Sequence, residues 1–391
     1  MEKFKKYQSS LGVHDPTIIF HEPNQTYYMY ATDTSINGEM KPGILIRKAR
    51  NLIRWENLHN ALSGIPKWVY EYTNPGNLWA PEVVLINGVY RMYYSASMFG
   101  TNQSVIGLAE ATHPEGPWID QGLVLSSHPD KSEANAIDAN VLYDRHHQLW
   151  FVYGSFFSGI HIKKLDEKSG KLLNPNTEGT CIARRSINVE GAIEGPFIYY
   201  HKTFDMYYLF TSYDFLGESY NVRVARSKDI KGPYVDTNGH GMFGDIEHPH
   251  RNGTKILGSY NLEPEPHWTS IGHNSILDVH NTQYMVAHSR VKHQHYPHFL
   301  YLKPLIWLDS GWPVVSLGEF IEYVETKPNN FKGIVFDENS TESMVETDLN
   351  IDTTDYKTYR CTLENGDTVI AICGINAKGQ AYWGYRREDI A

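Results

Sequence analysis

Three carboxylic acids stand at corresponding places in three copies of one sequence pattern. Asp15 belongs to HDPTIIF, Asp138 to IDANVLY and Glu194 to IEGPFIYY, each just ahead of a run rich in β-branched and aromatic residues. Carboxylates that are brought close together repel one another, so such a cluster is costly unless chemistry uses it. An acid that protonates a leaving oxygen, a base that activates water and a third carboxylate that keeps the acid protonated would together hydrolyse a glycosidic bond.

The apolar runs also align two further copies of the pattern, and this alignment puts five residues in phase. They are Asp15, Ala80, Asp138, Glu194 and His273. Glu82 lies two residues after Ala80 and therefore on the same face of its strand. We interpret Glu82 as a structural acid that is hydrogen-bonded within its unit, because buried acids are normally paired.

The elements that must position these residues are β-strands. Each copy reads as a β-hairpin with alternating apolar residues and with Asn, Gly, Asp or His in the turn, and a third apolar segment follows each hairpin. Helical periodicity is almost absent. Four short antiparallel strands repeated five times predict an all-β fold, a five-bladed β-propeller, whereas a β-sandwich would not explain five units in phase. The first strand of each blade lines the central channel, so the in-phase residues should converge on the axis.

The repeat ends after WPVVS, and the rest of the chain has a different pattern. We predict a propeller domain over residues 1–319 and a small C-terminal β-barrel or sandwich domain over residues 320–391, because alternating apolar residues and NG and KG turns continue there. The preferred interpretation of the second domain is a stabilising appendage without a site. The alternatives are that it covers one face of the propeller or binds sugar.

Composition and charge exclude some partners and suggest a location. The net charge is −10, and the sequence has neither a Lys/Arg run nor a membrane-spanning apolar stretch, so we predict no nucleic-acid partner and no membrane partner. The amino-terminal residues lack the apolar run of a signal peptide, and three cysteines at irregular spacing suggest free thiols. We therefore predict a cytoplasmic protein, although a chain from which a signal had been removed would look the same. The oligomeric state is left open.

At its acidic motifs the sequence resembles glycoside hydrolase family 43. The segments VHDPTII, NAIDANVL and AIEGPFIYY are similar to the three signature segments of that family. The resemblance implies a five-bladed propeller and an inverting mechanism. In that mechanism Asp15 is the general base, Glu194 is the general acid, and Asp138 keeps the acid protonated and orients it. The segment GHNS implies that His273 is the one protein ligand of a calcium ion that is held mostly by waters on the propeller axis.

Within the family, the sequence most resembles endo-1,5-α-L-arabinanases with an added C-terminal β domain. The segments that carry this likeness include NLWAPEVV, YYSASMFG and GSFFSGI. The likeness implies that Trp79 and Phe99 stack on arabinose rings and that Asn140 and Ser155 hydrogen-bond sugar hydroxyls. Trp79 could instead be a residue that packs within its blade.

Three functions remain open from the sequence. The first is hydrolysis of α-1,5-linked L-arabinofuranosyl oligo- or polysaccharides by endo cleavage. The second keeps the same acids in an exo-acting α-L-arabinofuranosidase or β-xylosidase. The third is a non-catalytic carbohydrate-binding propeller, which the intact set of three acids disfavours.

A cluster of three histidines lies in the segment HQHYPH. His293, His295 and His298 could bind a transition metal, but neither a cysteine nor a carboxylate accompanies them. We therefore interpret this segment as a hairpin loop near the sugar site.

Overall fold

The protein consists almost entirely of β-structure. The computed structural model describes residues 9–35, 38–292, 298–343, 345–346, 349 and 355–387. Within these ranges the helices are three short 3₁₀ turns, at Glu22–Asn24, Lys67–Glu71 and Ile187–Val189. No helix found there has the length and apolar character needed to cross a bilayer. The prediction of an all-β fold is confirmed.

Five sheets follow one another along the chain, each built from antiparallel strands that are consecutive in sequence, and the fifth also gains one parallel strand from a later part of the chain. Blade 1 contains β1 (Thr17–His21), β2 (Thr26–Ala31), β3 (Leu45–Ala49) and β4 (Glu56–Asn57). Blade 2 contains β5 (Trp79–Ile86), β6 (Val89–Ser97), β7 (Ser104–Ala111) and β8 (Ile119–Ser127). Blade 3 contains β9 (Asn140–Tyr143), β10 (Leu149–Tyr153), β11 (Ile160–Lys164) and β12 (Thr180–Ala183). Blade 4 contains β13 (Ile193–His201), β14 (Met206–Tyr213), β15 (Asn221–Ser227) and β16 (Thr254–Leu257). Blade 5 contains β17 (Ser259–Tyr260), β18 (Trp268–Val279), β19 (Thr282–Val291), β20 (Phe299–Trp307) and β21 (Pro313–Val315).

Tight turns join the first two long strands in at least two blades, as the turn residues in the sequence predicted. Asn87 and Gly88 connect β5 to β6 and have φ values of +52° and +79°. His280 and Asn281 connect β18 to β19 and have φ values of +50° and +62°. Two central residues with positive φ are what a type I′ hairpin turn requires, and this turn matches the twist of the flanking strands.

The five sheets form a closed ring. The inner strands β1, β5, β9, β13 and β18 each contact the next, and β18 contacts β1. The ring closes by packing: Ile18 and Met29 of blade 1 share a hydrophobic cluster with Leu277 and Val286 of blade 5. The hydroxyl of Ser275 also donates a hydrogen bond to the Pro16 carbonyl, at 2.8 Å. This arrangement is the predicted five-bladed β-propeller.

A further sheet follows blade 5. It contains β22 (Glu319–Tyr323), β23 (Lys332–Val335), β25 (Val345–Glu346), β26 (Asp355–Thr362), β27 (Thr368–Ile375) and β28 (Ala381–Arg386). The strand order is β22-β26-β27-β28-β23-β25, so β22 and β25 are its edges. In the described residues, this part is therefore one open sheet, which differs from the predicted barrel or sandwich. A short strand from the same part, β24 (Glu342–Ser343), pairs in parallel with β17 of blade 5.

The C-terminal sheet shares its hydrophobic core with blades 4 and 5. The Trp383 ring lies 5.1 Å from the ring of Tyr260 in blade 5 and 4.7 Å from that of Phe336. The buried Arg223 of blade 4 donates from Nη2 to the Glu338 carbonyl at 2.9 Å. The sheet begins at Glu319, beside the predicted boundary, but one hydrophobic core continues across that boundary. The division of the chain into two domains stays a prediction.

Candidate active site

One unusual backbone conformation recurs within or just ahead of the inner strand in every blade. The φ angle is positive at Asp15 (+48°), Ala80 (+37°), Asp138 (+59°) and His273 (+48°). Positive φ is uncommon outside glycine, so its recurrence marks an equivalent position in each blade. In blade 4 the residue with this conformation is Gly195 (+56°). The prediction that Glu194 stands in phase with the other acids is therefore wrong by one residue.

Strand register gives the same result and explains how Glu194 reaches the surface. The pairing of β13 with β14 places Glu194 where Trp79 lies in blade 2 and where Gly272 lies in blade 5. The register shift between Glu194 and Phe197 interrupts the regular alternation of the strand, so Glu194 opens onto the surface and still lies near Asp138. Trp79, Ile137 and Glu194, which each precede the in-phase position, all line the same surface cleft.

The cleft has a volume of about 840 Å³ and lies over blades 2, 3 and 4. Among the described residues, those that line it lie between Trp79 and Ile246, so the C-terminal sheet does not form part of this cleft. Its rim carries several exposed apolar side chains, and large exposed apolar groups commonly mark a binding surface. They are Phe99 (84% exposed), Phe157, Ile187 (78%), Phe215 and Ile246 (68%).

Asp15 is buried and surrounded by groups that stabilise its ionised form. Thr32 Oγ1 donates to Asp15 Oδ2 at 2.6 Å, and His14 Nδ1 lies 2.7 Å from the same oxygen. His273 Nδ1 lies 3.2 Å from the other carboxyl oxygen. Burial alone would raise the pKa of Asp15, but the His14 and His273 rings hold it well below its usual range. Asp15 is therefore an ionised carboxylate at neutral pH, the state that a general base requires.

Asp138 is also buried, but its surroundings have the opposite effect. Burial raises the pKa of Asp138 to about 7; His273 opposes this rise, and the nearby Glu194 and Asp15 add to it. Asp138 Oδ2 accepts a hydrogen bond from the Gly195 N–H at 3.1 Å, which fixes the peptide that follows Glu194. The axis thus keeps a proton beside Glu194 near neutral pH, while Asp15 gives up its proton.

Glu82 connects three blades through hydrogen bonds. It accepts from Asn140 Nδ2 at 2.8 Å, from the Val141 N–H at 3.3 Å and from Thr17 Oγ1 at 3.3 Å. This environment fits the predicted structural role, but the prediction of bonding within its own unit is wrong, because these partners belong to blades 1 and 3. Asn140 also accepts from the Ile198 N–H with its amide oxygen, at 2.9 Å.

The prediction that Asn140 hydrogen-bonds a sugar does not fit this structure. Both ends of the Asn140 amide are engaged by protein groups, and the side chain is only 1% exposed. It joins blades 2, 3 and 4 beneath the cleft. The physical reason for the error is that Asn140 lies two residues beyond Asp138 and so faces the interior of the propeller.

Two hydroxyl groups are associated with Glu194. Ser155 Oγ donates to Glu194 Oε2 at 2.9 Å. The hydroxyl of the buried Tyr220 lies near the same carboxyl group, and after burial Glu194 is the strongest of the groups that raise the pKa of Tyr220. Ser155 was expected to bind a sugar hydroxyl; it lines the cleft, but its hydroxyl is engaged by the acid.

Both residues that were predicted to stack on sugar rings, Trp79 and Phe99, line the cleft. Phe99 is the more exposed of them, and Trp79 is half-buried with its Nε1 bonded to Asn77 Oδ1 at 2.7 Å. Their contact with sugar stays a prediction. Of the HQHYPH histidines, His293 and His295 lie outside the described residues. His298 Nε2 accepts from the Arg290 guanidinium at 2.9 Å, so this nitrogen is engaged within the protein.

His273 has surroundings that suit a cation. Burial would lower the pKa of His273, but Asp15, Asp138, Glu194 and Glu82 raise it overall, which shows how negative this part of the axis is. Asp15 orients the ring through Nδ1, and a carboxylate on one imidazole nitrogen commonly positions the other nitrogen for a metal. Calcium prefers oxygen ligands, so one imidazole would have to be supplemented by water. The residues present fit such a site.

Sequence reasoning missed the aromatic and imidazole groups that surround the acids. His14 and His288 stack with centroids 4.0 Å apart, and His288 lies 5.6 Å from Tyr220 on its other side. His288 Nδ1 accepts from the Asp15 N–H at 3.2 Å. Only His14 had a sequence signal, since it immediately precedes Asp15 in the first motif.

Comparison with known proteins gives a family match over most of the chain. The profile of Glycosyl hydrolases family 43 matches residues 9–313. An extracellular exo-α-(1→5)-L-arabinofuranosidase of Cellvibrio japonicus is 31% identical over 336 residues, which cover 81% of this chain and 90% of that protein. An extracellular endo-α-(1→5)-L-arabinanase of Bacillus subtilis is 30% identical over 360 residues, with coverages of 81% and 74%.

Solved structures agree with these relatives. The endo-1,5-α-L-arabinanase of Thermotoga petrophila has a TM-score of 0.80 and 25% identity, and the match covers 97% of this chain and 99% of that one. An α-L-arabinanase of Cellvibrio cellulosa, in complex with arabinohexaose, has a TM-score of 0.67 and 30% identity, with coverages of 78% and 96%. The first of these matches extends over the C-terminal sheet as well as the propeller.

The prediction of a cytoplasmic location is wrong, because both sequence relatives are named as extracellular enzymes. The amino-terminal residues of a chain do not reveal what preceded them during biosynthesis. The free cysteines were also poor evidence for a cytoplasmic location. Cys361 and Cys373 are buried, and burial raises the pKa of the Cys361 thiol to about 12, so these thiols stay protonated and unreactive outside a reducing compartment too.

Proposed function

The chain belongs to glycosyl hydrolases family 43, and from that premise we propose that this glycoside hydrolase cleaves α-1,5-linked L-arabinofuranosyl chains. Its relatives are named as arabinanases and an arabinofuranosidase, and one of the similar structures is a complex with arabinohexaose. We further propose internal cleavage with inversion at the anomeric carbon. The observation that carries the proposal is the contrast between an ionised, buried Asp15 and a Glu194 that opens onto the cleft.

In this proposal each acid has one role. Asp15 accepts a proton from a water molecule, whose oxygen attacks the anomeric carbon. Glu194 gives its proton to the leaving sugar oxygen as the glycosidic C–O bond breaks. Asp138 retains a proton near neutral pH and holds the Gly195 peptide, so it keeps Glu194 in place and limits the negative charge around it.

The cleft supports internal cleavage more than terminal cleavage. Its volume exceeds what one pentose needs, and its exposed apolar groups are spread over three blades, from Phe99 to Ile246. Apolar faces of several consecutive sugar rings could pack on such a rim. The exo-acting relative from Cellvibrio japonicus is the specific observation that favours the alternative, an exo-arabinofuranosidase.

A calcium ion on the axis is part of the proposal. His273 would hold it, with Asp15 fixing the imidazole ring and waters completing the coordination. When bound, the ion would supply positive charge that offsets the repulsion among the axial carboxylates. We propose in addition that residues 320–391 stabilise blades 4 and 5 and have no sugar site, since the described part of them lies outside the cleft.

Product sizes over time test the proposed function. Purified protein is incubated with linear 1,5-arabinan, and the expected products are a spread of oligosaccharides from the earliest time points. Arabinose alone, or one short product, would establish exo action. Cleavage of β-xylosides without any cleavage of arabinan would overturn the substrate assignment. The Glu194→Gln variant is the matched control; we expect its rate to fall by about 10²- to 10⁴-fold while arabinan binding is retained.

A further inference from the structure

Tyr220 occupies a space that its neighbours leave for it. It immediately precedes β15 and is 1% exposed. One face of its ring lies nearly parallel to His288, with centroids 5.6 Å apart and an interplanar angle of 19°. On another side it meets Gly272, where an added Cβ would lie 2.2 Å from Tyr220 Cδ1.

Gly272 has the position in blade 5 that Glu194 has in blade 4 and Trp79 has in blade 2. In those blades the position carries a side chain that lines the cleft. In blade 5 it carries none, and the Tyr220 ring fills the place. The ring is thus held from two sides, and its hydroxyl is brought to the carboxylates.

The ring packing against His288 and Gly272 brings the hydroxyl of Tyr220 close to the acids. Glu194, Asp15 and Asp138 all act on it electrostatically, Glu194 most strongly. Burial first, and then these three acids, raise the pKa of Tyr220 well above its usual value, so the hydroxyl keeps its proton. Ring packing alone does not account for a tyrosine at position 220, because a phenylalanine would pack equally well and would bury no polar group.

We propose that Tyr220 is a positioning residue that acts through Glu194: its hydroxyl orients the acid and stabilises the carboxylate that remains after Glu194 has protonated the leaving sugar oxygen. This inference rests on the proposed function. The proton that reaches the leaving oxygen comes from Glu194, and Tyr220 keeps its own. The hydrogen bond that this role requires, from the Tyr220 hydroxyl to Glu194, strengthens as the carboxyl group becomes charged, so it stabilises the transition state more than the bound substrate.

The test compares Tyr220→Phe with wild type on two substrates that differ in their need for an acid. One is a methyl α-arabinobioside, whose leaving group must be protonated; the other is the dinitrophenyl α-arabinobioside, whose leaving group departs as an anion. We expect kcat on the methyl glycoside to fall by about 10- to 100-fold, since a hydrogen bond to a charged group is lost. We expect KM and the melting temperature to stay near the wild-type values, and kcat on the dinitrophenyl glycoside to change less than about threefold.

Tyr213→Phe is the matched control. Tyr213 is another buried tyrosine, close in sequence, whose hydroxyl has no hydrogen-bond partner among the described residues. We expect its kcat to be unchanged on both glycosides. Equal losses on both glycosides in Tyr220→Phe, a rise in KM alone, or no loss at all would each overturn the role of Tyr220. A wild-type protein that cleaves neither arabinoside would overturn the proposed function and this inference with it.

Discussion

At the scale of single residues, the buried acids on the propeller axis do not share one environment. Asp15 is surrounded by imidazole and hydroxyl groups and is ionised, whereas Asp138 and Glu82 have pKa values that are raised to about 7, mainly by burial. One ionised acid and two acids that hold protons can coexist only because histidine rings lie on the Asp15 side. His14 and His273 therefore determine which acid can act as the base.

Glu82 gives a prediction about pH and stability. Its folded-state pKa of about 7 lies above the ordinary value of 4.5 for a glutamate, so proton binding favours the folded state. Its contribution is complete below the unfolded-state pKa and is lost as pH rises towards 7, amounting to at most about 3 kcal/mol. We expect the free energy of unfolding of wild type to fall between pH 4.5 and 7.5 in calcium-free buffer.

The Glu82→Gln variant checks this expectation, because the amide keeps an acceptor for Asn140 and carries no charge. Its free energy of unfolding, measured by urea denaturation, should depend less on pH over the same range. Glu56→Gln, at an exposed position, should retain the wild-type dependence. Identical pH profiles for wild type and Glu82→Gln would show that Glu82 is ionised throughout.

At the scale of elements, one wall of the cleft is built by two segments that lie outside the blades' inner strands. The segment 184–190 pairs with 242–246: the Arg184 N–H donates to the Met242 carbonyl at 2.9 Å, and the Gly244 N–H donates to the Arg184 carbonyl at 2.7 Å. Asn188 Nδ2 adds a bond to the Ile246 carbonyl at 3.1 Å. These bonds hold Ile187 and Ile246 exposed at the rim.

We expect this wall to bind sugars that are distant from the cleaved bond. Ile246→Ser should raise KM for long arabino-oligosaccharides by about three- to tenfold, since roughly 1 kcal/mol of apolar contact is removed. It should leave kcat unchanged and have little effect on the shortest substrate that is cleaved. Ile119→Ser, equally exposed but on the outer strand of blade 2, is the control and should have no effect. A uniform change for all chain lengths would place Ile246 next to the reacting bond instead.

Element-level features were predictable from sequence to different degrees. The five blades followed from apolar alternation and turn residues, because these patterns are local. The phase of blade 4 was set wrongly even though a signal existed: Pro196 aligns with Pro16 and Pro81 once Gly195, rather than Glu194, is placed in phase. Tyr220 could not be found in this way. It reaches the acids from the loop between the second and third strands of blade 4, so no repeat position marks it.

At the scale of the whole molecule, the axis brings together blades that are not neighbours in the ring, such as blades 1 and 3 through Asp15 and Asp138. Side chains of Asp15, Asp138, Glu194 and His273, from four different blades, meet there and interact electrostatically. A cation on His273 would therefore stabilise the closed ring as a whole, and its removal should lower the free energy of unfolding of the whole protein.

Chelation tests this consequence. In excess EDTA we expect the melting temperature to fall by several degrees and to recover when calcium is restored, because a ligand at a hundred times its Kd contributes about 2.7 kcal/mol. Magnesium should not restore it, since it prefers a strict octahedral shell of smaller radius. The His273→Ala variant should show no response to EDTA. An unchanged wild-type melting temperature would remove calcium from the axis.

The shared core of blades 4 and 5 with the C-terminal sheet has a consequence for the order in which the chain folds during synthesis. Blade 5 has Tyr260 packed on Trp383, and its strand β17 pairs with β24, so its surface is completed by residues that leave the ribosome after the whole propeller. Blade 1 in turn needs blade 5 to cover Ile18 and Met29. The nascent protein must therefore keep apolar surface at both ends of the propeller exposed until the C-terminal sheet has been synthesised, and during that interval it is a natural client for chaperones.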